Sequence, residues 1–202
     1  MIAGTPLWRT IFWTVTAFIA GAIPFSVIVG RLALQTDIRE YGDTNPGATN
    51  VLRAGSRMWA LIAAFLDMFK AALPVAIAYV VTEIRDFSVV PIALAPLLGH
   101  LFSPFLRGRG GKGVAVTGGI WIGLTYGIAT LVGIALMTLG YLIQSVPGWA
   151  VALGLAGIGA YLAIWRPDPI LLTVWALNTA IVLWRHRRDL RQRPKFRSWL
   201  RH

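Results

Sequence analysis

Long apolar stretches, separated by loops too short to hold a soluble domain, constrain this chain more than anything else in it. They run over residues 10–34, 58–82, 87–106, 114–124, 126–144, 148–165 and 170–184. A helix needs roughly 20 mostly apolar residues to cross the hydrocarbon of a bilayer, and these stretches follow one another almost without interval. With 56% of its 202 residues hydrophobic and 13% charged, the chain has more apolar surface than a water-soluble fold can hide. The expected fold is an all-α integral membrane protein of about seven transmembrane helices, in a single domain over residues 1–202. The count is open at one point: residues 114–144 are too long for one straight crossing and barely enough for two, so five or six crossings are also compatible. The first stretch is too long for the core of a signal peptide and reads as the first span. The chain has no cysteine, which excludes disulfides and thiolate metal sites, and no metal site is apparent.

Charge orients the spans. Nineteen basic and eight acidic residues give a net charge of +11, and the basic ones gather in three regions. Arg31, Arg39, Arg53 and Arg57 flank the first long loop, Arg107, Arg109 and Lys112 the next, and residues 185–201 form a basic tail. With seven crossings all three regions fall on one side, which the positive-inside rule makes the cytoplasm, with the N-terminus outside and the C-terminus inside. The loops at residues 83–86 and 166–168 are short and nearly neutral, as the outer face requires. Nucleic acid is a poor partner, because the basic segments are short and divided by spans. Tryptophans such as Trp8, Trp149, Trp165 and Trp184 fall near span ends, where an aromatic belt accounts for them.

Two loops carry residues suited to chemistry. Residues 107–113, RGRGGKG, lead straight into an apolar helix. Successive glycines let backbone N–H groups converge on an anion, the helix N-terminus adds partial positive charge, and Arg109 and Lys112 add full charges. The spacing is not that of a Walker A loop, and no Ser or Thr follows the lysine. Residues 37–53, DIREYGDTNPGATNVLR, are too polar to span. There Asn45, Thr49 and Asn50 offer neutral hydrogen-bond donors, Arg39 and Arg53 offer forked cations, and Gly42 and Gly47 permit close backbone approach. Within the second span, Asp67 and Lys70 share a helical face, which suits an ion pair at that depth. His100 stands beside Gly99 near the basic loop, as a tether between helices or a ligand of the site. Neither His100 nor His186 has an aspartate five residues on, so a His/Asp acyltransferase pair is missing. No HExxH or serine-elbow motif occurs.

Taken in order, GAIPF at residues 21–25, the 37–53 loop, Asp67 with Lys70, and GHLFSPFLRGRGGKGVA at residues 99–115 resemble the bacterial acyl-phosphate:glycerol-3-phosphate acyltransferases, the PlsY family. The resemblance covers most of the chain. It implies a multi-span inner-membrane enzyme of bacteria that moves a fatty acyl group from acyl phosphate to the 1-hydroxyl of glycerol 3-phosphate. The products are lysophosphatidic acid and phosphate, and no cofactor takes part. The implied partners are these two small substrates and membrane lipids. Acyl phosphate is already activated, so positioning and electrostatic stabilisation suffice, and a substrate phosphate can take the hydroxyl proton. Carried over to this sequence, Lys112, Arg53, Asn45, Thr44, His186 and Asp189 take catalytic roles. Arg39, Gly42, Asp43, Gly47, Thr49, Asn50, His100 and Arg109, with the glycines Gly110, Gly111 and Gly113, hold substrate or phosphate.

Two departures stand out. Where the family reads GSGN, this chain has Gly42, Asp43, Thr44 and Asn45, so a carboxylate replaces a serine and calls for a cationic neighbour, Arg39 or Arg53. In the tail His186 is kept, Asp189 stands for an asparagine, and residues 193–197, RPKFR, lack the family's Gly and Glu. The same scaffold with another acceptor, or an anion transporter, are the alternatives. Inverted repeats with interrupted spans would favour transport, and none is seen.

Overall fold

The computed structural model describes residues 4–197. Among them the chain is helical, apart from one isolated antiparallel bridge between Gln144 and Phe196. Four stretches, Leu7–Ala33, Arg57–Val81, Val89–Leu106 and Pro147–Trp165, are long and apolar enough to cross a membrane, and three shorter apolar helices accompany them.

The first stretch is a single candidate span, Leu7–Ala33, built from two helices. Pro24 lacks an N–H and crowds the preceding turn, so α1 (Leu7–Ala22) stops and α2 (Phe25–Ala33) begins after it. The break strands two carbonyls inside the bundle, where no water can satisfy them. Ser103 Oγ donates to Ala22 O at 2.6 Å, and Lys70 Nζ donates to Ile23 O at 2.7 Å. Lys70 lies on α4 (Arg57–Ala76), which Ser56 caps by accepting from Trp59 N at 3.2 Å. A short α3 (Ala48–Arg53) precedes α4, and a π-helical turn, Ile77–Val81, extends it. Asp67 and Lys70 form an ion pair at 2.6 Å with side chains only 3% and 2% exposed. Ser26 Oγ donates to the other oxygen of Asp67 at 2.6 Å, and Lys70 Nζ lies 3.1 Å from Nδ1 of His100. The ammonium thus has the Ile23 carbonyl and the His100 ring as hydrogen-bond partners and the Asp67 carboxylate as its counter-charge.

The stretch at 87–106 forms α5 (Val89–Leu101) and a single 3-10 turn, Pro104–Leu106. Small residues let α5 lie against α1, since a Cβ at Gly21 would meet the Pro96 backbone and one at Gly99 the Phe18 carbonyl. Residues 114–144 resolve into two helices, α6 (Val114–Thr125) and α7 (Ile128–Ile143), reversed through the left-handed pair Tyr126 and Gly127. At 1.5 Å per residue α6 is about 18 Å long, well short of the hydrocarbon thickness. The chain then forms α8 (Pro147–Trp165), α9 (Pro169–Arg185), capped by Asp168, and a short α10 (Arg187–Leu190).

The main pairings are α1 with α5, α4 with α6, and α7 with α8, while α9 touches α5 and α8. Trp121, Leu97, Leu101, Ile120 and Leu124 are fully buried between them. Large apolar side chains also face outward: Leu61 is 73% exposed and Leu131 68%, a surface made for lipid. At one end of the bundle Thr5 N donates to Asp86 and Arg9 to the Thr82 carbonyl, at 2.6 and 2.7 Å. The loops at residues 37–46 and 108–112 meet residues 185–189 in another cluster. Arg201, counted in the basic tail, lies outside the described residues.

Removing one member of a buried pair strands the other charge. Lys70→Met is expected to cost about 3–5 kcal/mol, read as a fall in the thermal unfolding midpoint in detergent. Adding Asp67→Leu should recover most of the loss, and an unchanged midpoint in the single variant would show that the pair is dispensable.

Candidate active site

The loop between α5 and α6 is built around two peptide groups. A helix leaves its last carbonyls without intrahelical donors, and here Gly110 N donates to Leu101 O at 3.0 Å and Gly111 N to His100 O at 3.2 Å. Only glycine permits this approach: a Cβ at Gly110 would meet the His100 carbonyl, and one at Gly111 the His100 ring. From the other side Arg185, the last residue of α9, donates through Nη2 to Gly110 O and Gly111 O at 2.8 and 3.0 Å. Its Nε adds a third bond, to Gly111 O at 3.2 Å. The sequence suggested an anion nest made by the amides of Gly110, Gly111 and Gly113. The geometry corrects this for the first two, whose N–H groups already serve the end of α5. What the loop presents is the next side chain, Lys112.

Lys112 Nζ lies 3.0 Å from Asp43 Oδ2 and 3.3 Å from Asp189 Oδ2. It thus joins three segments far apart in sequence. Asp43 also faces Arg53 Nη1 at 3.4 Å. Burial opposes the charge on Asp43, but Lys112, the Asn45 amide and Arg53 outweigh it and hold the carboxyl below its ordinary value. A depressed carboxyl stays charged above the ordinary range, so this pairing is intact at neutral pH and is lost only on acidification. Arg39, proposed as a neighbour for Asp43, is engaged elsewhere: its Nε donates to Asp37 at 2.8 Å, and the bonds from Arg39 hold the Asp37 carboxyl well below the usual range.

Asn50 sets the shape of the 42–47 loop. It is 1% exposed, and its Nδ2 donates to Asn45 O at 2.9 Å while its Oδ1 accepts from Arg53 at 2.9 Å. Thr44 holds a positive φ of 61°, with its hydroxyl donating to the Asp43 carbonyl at 2.7 Å. A β-branched residue is strained there.

These segments enclose an open cleft of about 690 Å³. Of the residues expected at the site, Arg39, Asp43, Thr44, Asn45, Arg109, Gly110, Lys112 and Asp189 line it. Gly42 lies beneath the Arg53 side chain, and Gly47 beside Asn45. Thr49 is exposed and away from the cleft lining. Gly113 packs on Leu97 and precedes α6. His100 is buried below Gly111, with its Nδ1 turned to Lys70, so it supports the loop rather than facing the cleft. His186 is also buried, its Nδ1 2.9 Å from the Val182 carbonyl, and burial pushes its imidazole below the ordinary value. Arg185, Arg187 and Arg188 line the cleft without having been singled out in the sequence. There Arg185 looked like one more positive-inside charge, and its fit to a helix C-terminus was the available signal. No cluster of His, Cys, Asp or Glu suited to a metal occurs among the described residues.

A helical bundle with a lipid-facing exterior and a cation-rich cleft at one end defines a multi-pass membrane protein with a site for anions. Known proteins narrow that class. A profile of the glycerol-3-phosphate acyltransferases matches residues 11–194, and the chain belongs to that family. It is 37% identical to the glycerol-3-phosphate acyltransferase of Anaeromyxobacter dehalogenans over 182 residues, covering 87% of this chain and 89% of that one. It is 34% identical to that of Pseudomonas putida strain GB-1, covering 89% and 94%. The crystal structure of PlsY (YgiH), an integral membrane glycerol 3-phosphate acyltransferase, in its glycerol 3-phosphate form superposes with a TM-score of 0.84 at 25% identity, over 95% of this chain and 97% of that one. Its lysophosphatidic acid form gives 0.82 at 25% identity, over 90% of each.

The strain at Thr44 is testable. Thr44→Gly relieves about 1–3 kcal/mol of backbone strain against roughly 0.5–1 kcal/mol of added chain entropy. The thermal midpoint is expected to rise by a few degrees, and a fall would show that the left-handed conformation costs nothing here.

Proposed function

We propose that this chain transfers a fatty acyl group from acyl phosphate to the 1-hydroxyl of glycerol 3-phosphate, as one acyltransferase domain in the cytoplasmic membrane of a bacterium. The observation that carries this reading is the meeting of Lys112, Arg109 and Arg185 in one cleft beside an apolar crevice. That crevice is lined by Val114, two residues beyond Lys112, and by Gly118, Gly133, Met137 and Gly154. A phosphate head at the lysine and an acyl chain along the crevice would place the carbonyl at their junction.

The acceptor oxygen bonds to the acyl carbon, the bond from that carbon to the phosphate oxygen breaks, and inorganic phosphate leaves. The hydroxyl proton passes to a phosphate oxygen of the substrate. Cations fixed at the cleft stabilise the charge that develops, which is where preorganised electrostatics acts most strongly. Seven crossings, with the N-terminus outside and the cleft on the cytoplasmic side, agree with the charge of the loops.

Purified protein is expected to release phosphate from palmitoyl phosphate only when glycerol 3-phosphate is present. Lys112→Ala should lower that rate about 100-fold or more, the scale of losing one fixed stabilising group. Folded wild-type protein that shows no acceptor-dependent release would overturn the assignment.

A further inference from the structure

Among the described residues, Lys112 is the only cation paired with two acidic side chains. Arg109 and Arg185 line the same cleft and pair with no carboxylate there. Arg185 is held instead by the carbonyls of Gly110 and Gly111. The two carboxylates on Lys112 arrive from opposite directions in the chain, Asp43 from the loop that follows α2 and Asp189 from α10.

We infer that Asp43 and Asp189 are specificity-determining residues that penalise any anion able to reach Lys112 alone, inorganic phosphate above all. A small phosphate at Lys112 must either displace two ion pairs, at 3.0 and 3.3 Å, or sit within a few ångströms of both carboxylates. Like charges at that separation repel. A substrate that also brings contacts to the unpaired Arg109 and Arg185, or a chain to the apolar crevice, offsets the repulsion. Phosphate has nothing else to offer. The inference rests on the proposed reaction for its consequence: phosphate is the leaving group, and the carboxylates weaken its hold on the site it shares with the acyl donor.

The test is direct binding of inorganic phosphate at neutral pH, measured calorimetrically on detergent-solubilised full-length protein. Asp43→Ser and Asp189→Asn each replace a carboxylate on Lys112 by a neutral polar side chain. Each is expected to bind phosphate about tenfold more tightly than wild type, the effect of removing one unit charge a few ångströms away at a partly solvated site. Adding Lys112→Ala to either variant should abolish the gain. Equal or weaker binding by both variants, or no detectable binding by either, overturns the inference. Asp43→Asn serves in place of Asp43→Ser if the serine variant elutes as aggregate. The readout needs no turnover. Tighter phosphate binding without acyl transfer by wild type would sink the proposed reaction and leave this inference standing, whereas transfer with unchanged phosphate affinity would do the reverse.

Discussion

The carbonyls at the C-terminus of α5 need donors from outside their own helix, and the way they find them governs the position of Lys112. Gly110 and Gly111 supply the N–H groups, so their peptide groups must lie flat against His100 and Leu101 with no room for a side chain. Once they are there, their carbonyls point outward and Arg185 takes both. Beneath them the His100 ring is fixed by Lys70, and Lys70 in turn serves Asp67 and the Ile23 carbonyl exposed by the Pro24 break. A line of polar contacts therefore runs from the kink between α1 and α2 to the loop that carries the lysine. In a membrane each of these groups would be costly without its partner, so the network is fixed at every step.

Such a frame answers a difficulty posed by the cleft. A carboxylate beside a phosphate site is unfavourable, and two are present. Six basic side chains against four acidic ones line the cleft, so its field remains positive overall even though the charge on Lys112 is locally compensated. The surplus sits on the arginines of the α9–α10 corner and on Arg109. Long-range attraction of an anion thus survives, while the immediate surroundings of Lys112 are close to neutral or negative. Attraction to the cleft and retention at the lysine become separable properties, controlled by different residues.

What was legible in the sequence follows from the solvent. Lipid demands apolar runs of a set length, so all the helical stretches lie close to where the pattern places them, and the ambiguous 114–144 region splits at Tyr126 and Gly127. The break at Pro24 was hidden because the apolar run continues through it, and its repair comes from Ser103 and Lys70, both distant in sequence. The glycines of the basic loop were visible as a place of close approach. Which backbone approaches which was not: the partner is the end of α5, and that is a tertiary fact. The same holds for the third cation of the cleft, since Arg185 sits in a tail whose many arginines share one simple explanation. Asp43 announced a need for a cation, and of the two candidates Arg53 meets it while Arg39 is engaged by Asp37; the contact with Lys112 is visible only in three dimensions.

The shortness of α6 is the remaining constraint with a bearing on chemistry. A helix of about 18 Å is shorter than the hydrocarbon is thick, so the point where it starts decides which part of the bundle it lines, and it starts at Val114. Lys112 lines the polar cleft and Val114, two residues on, lines the apolar crevice, so the entry into α6 joins the two. An acyl phosphate changes character at one bond in the same way, anion on one side and hydrocarbon on the other. In the proposed reaction the bond that must break therefore lies at that boundary. The glycines, the arginine above them and the histidine below hold that boundary in register with the lysine.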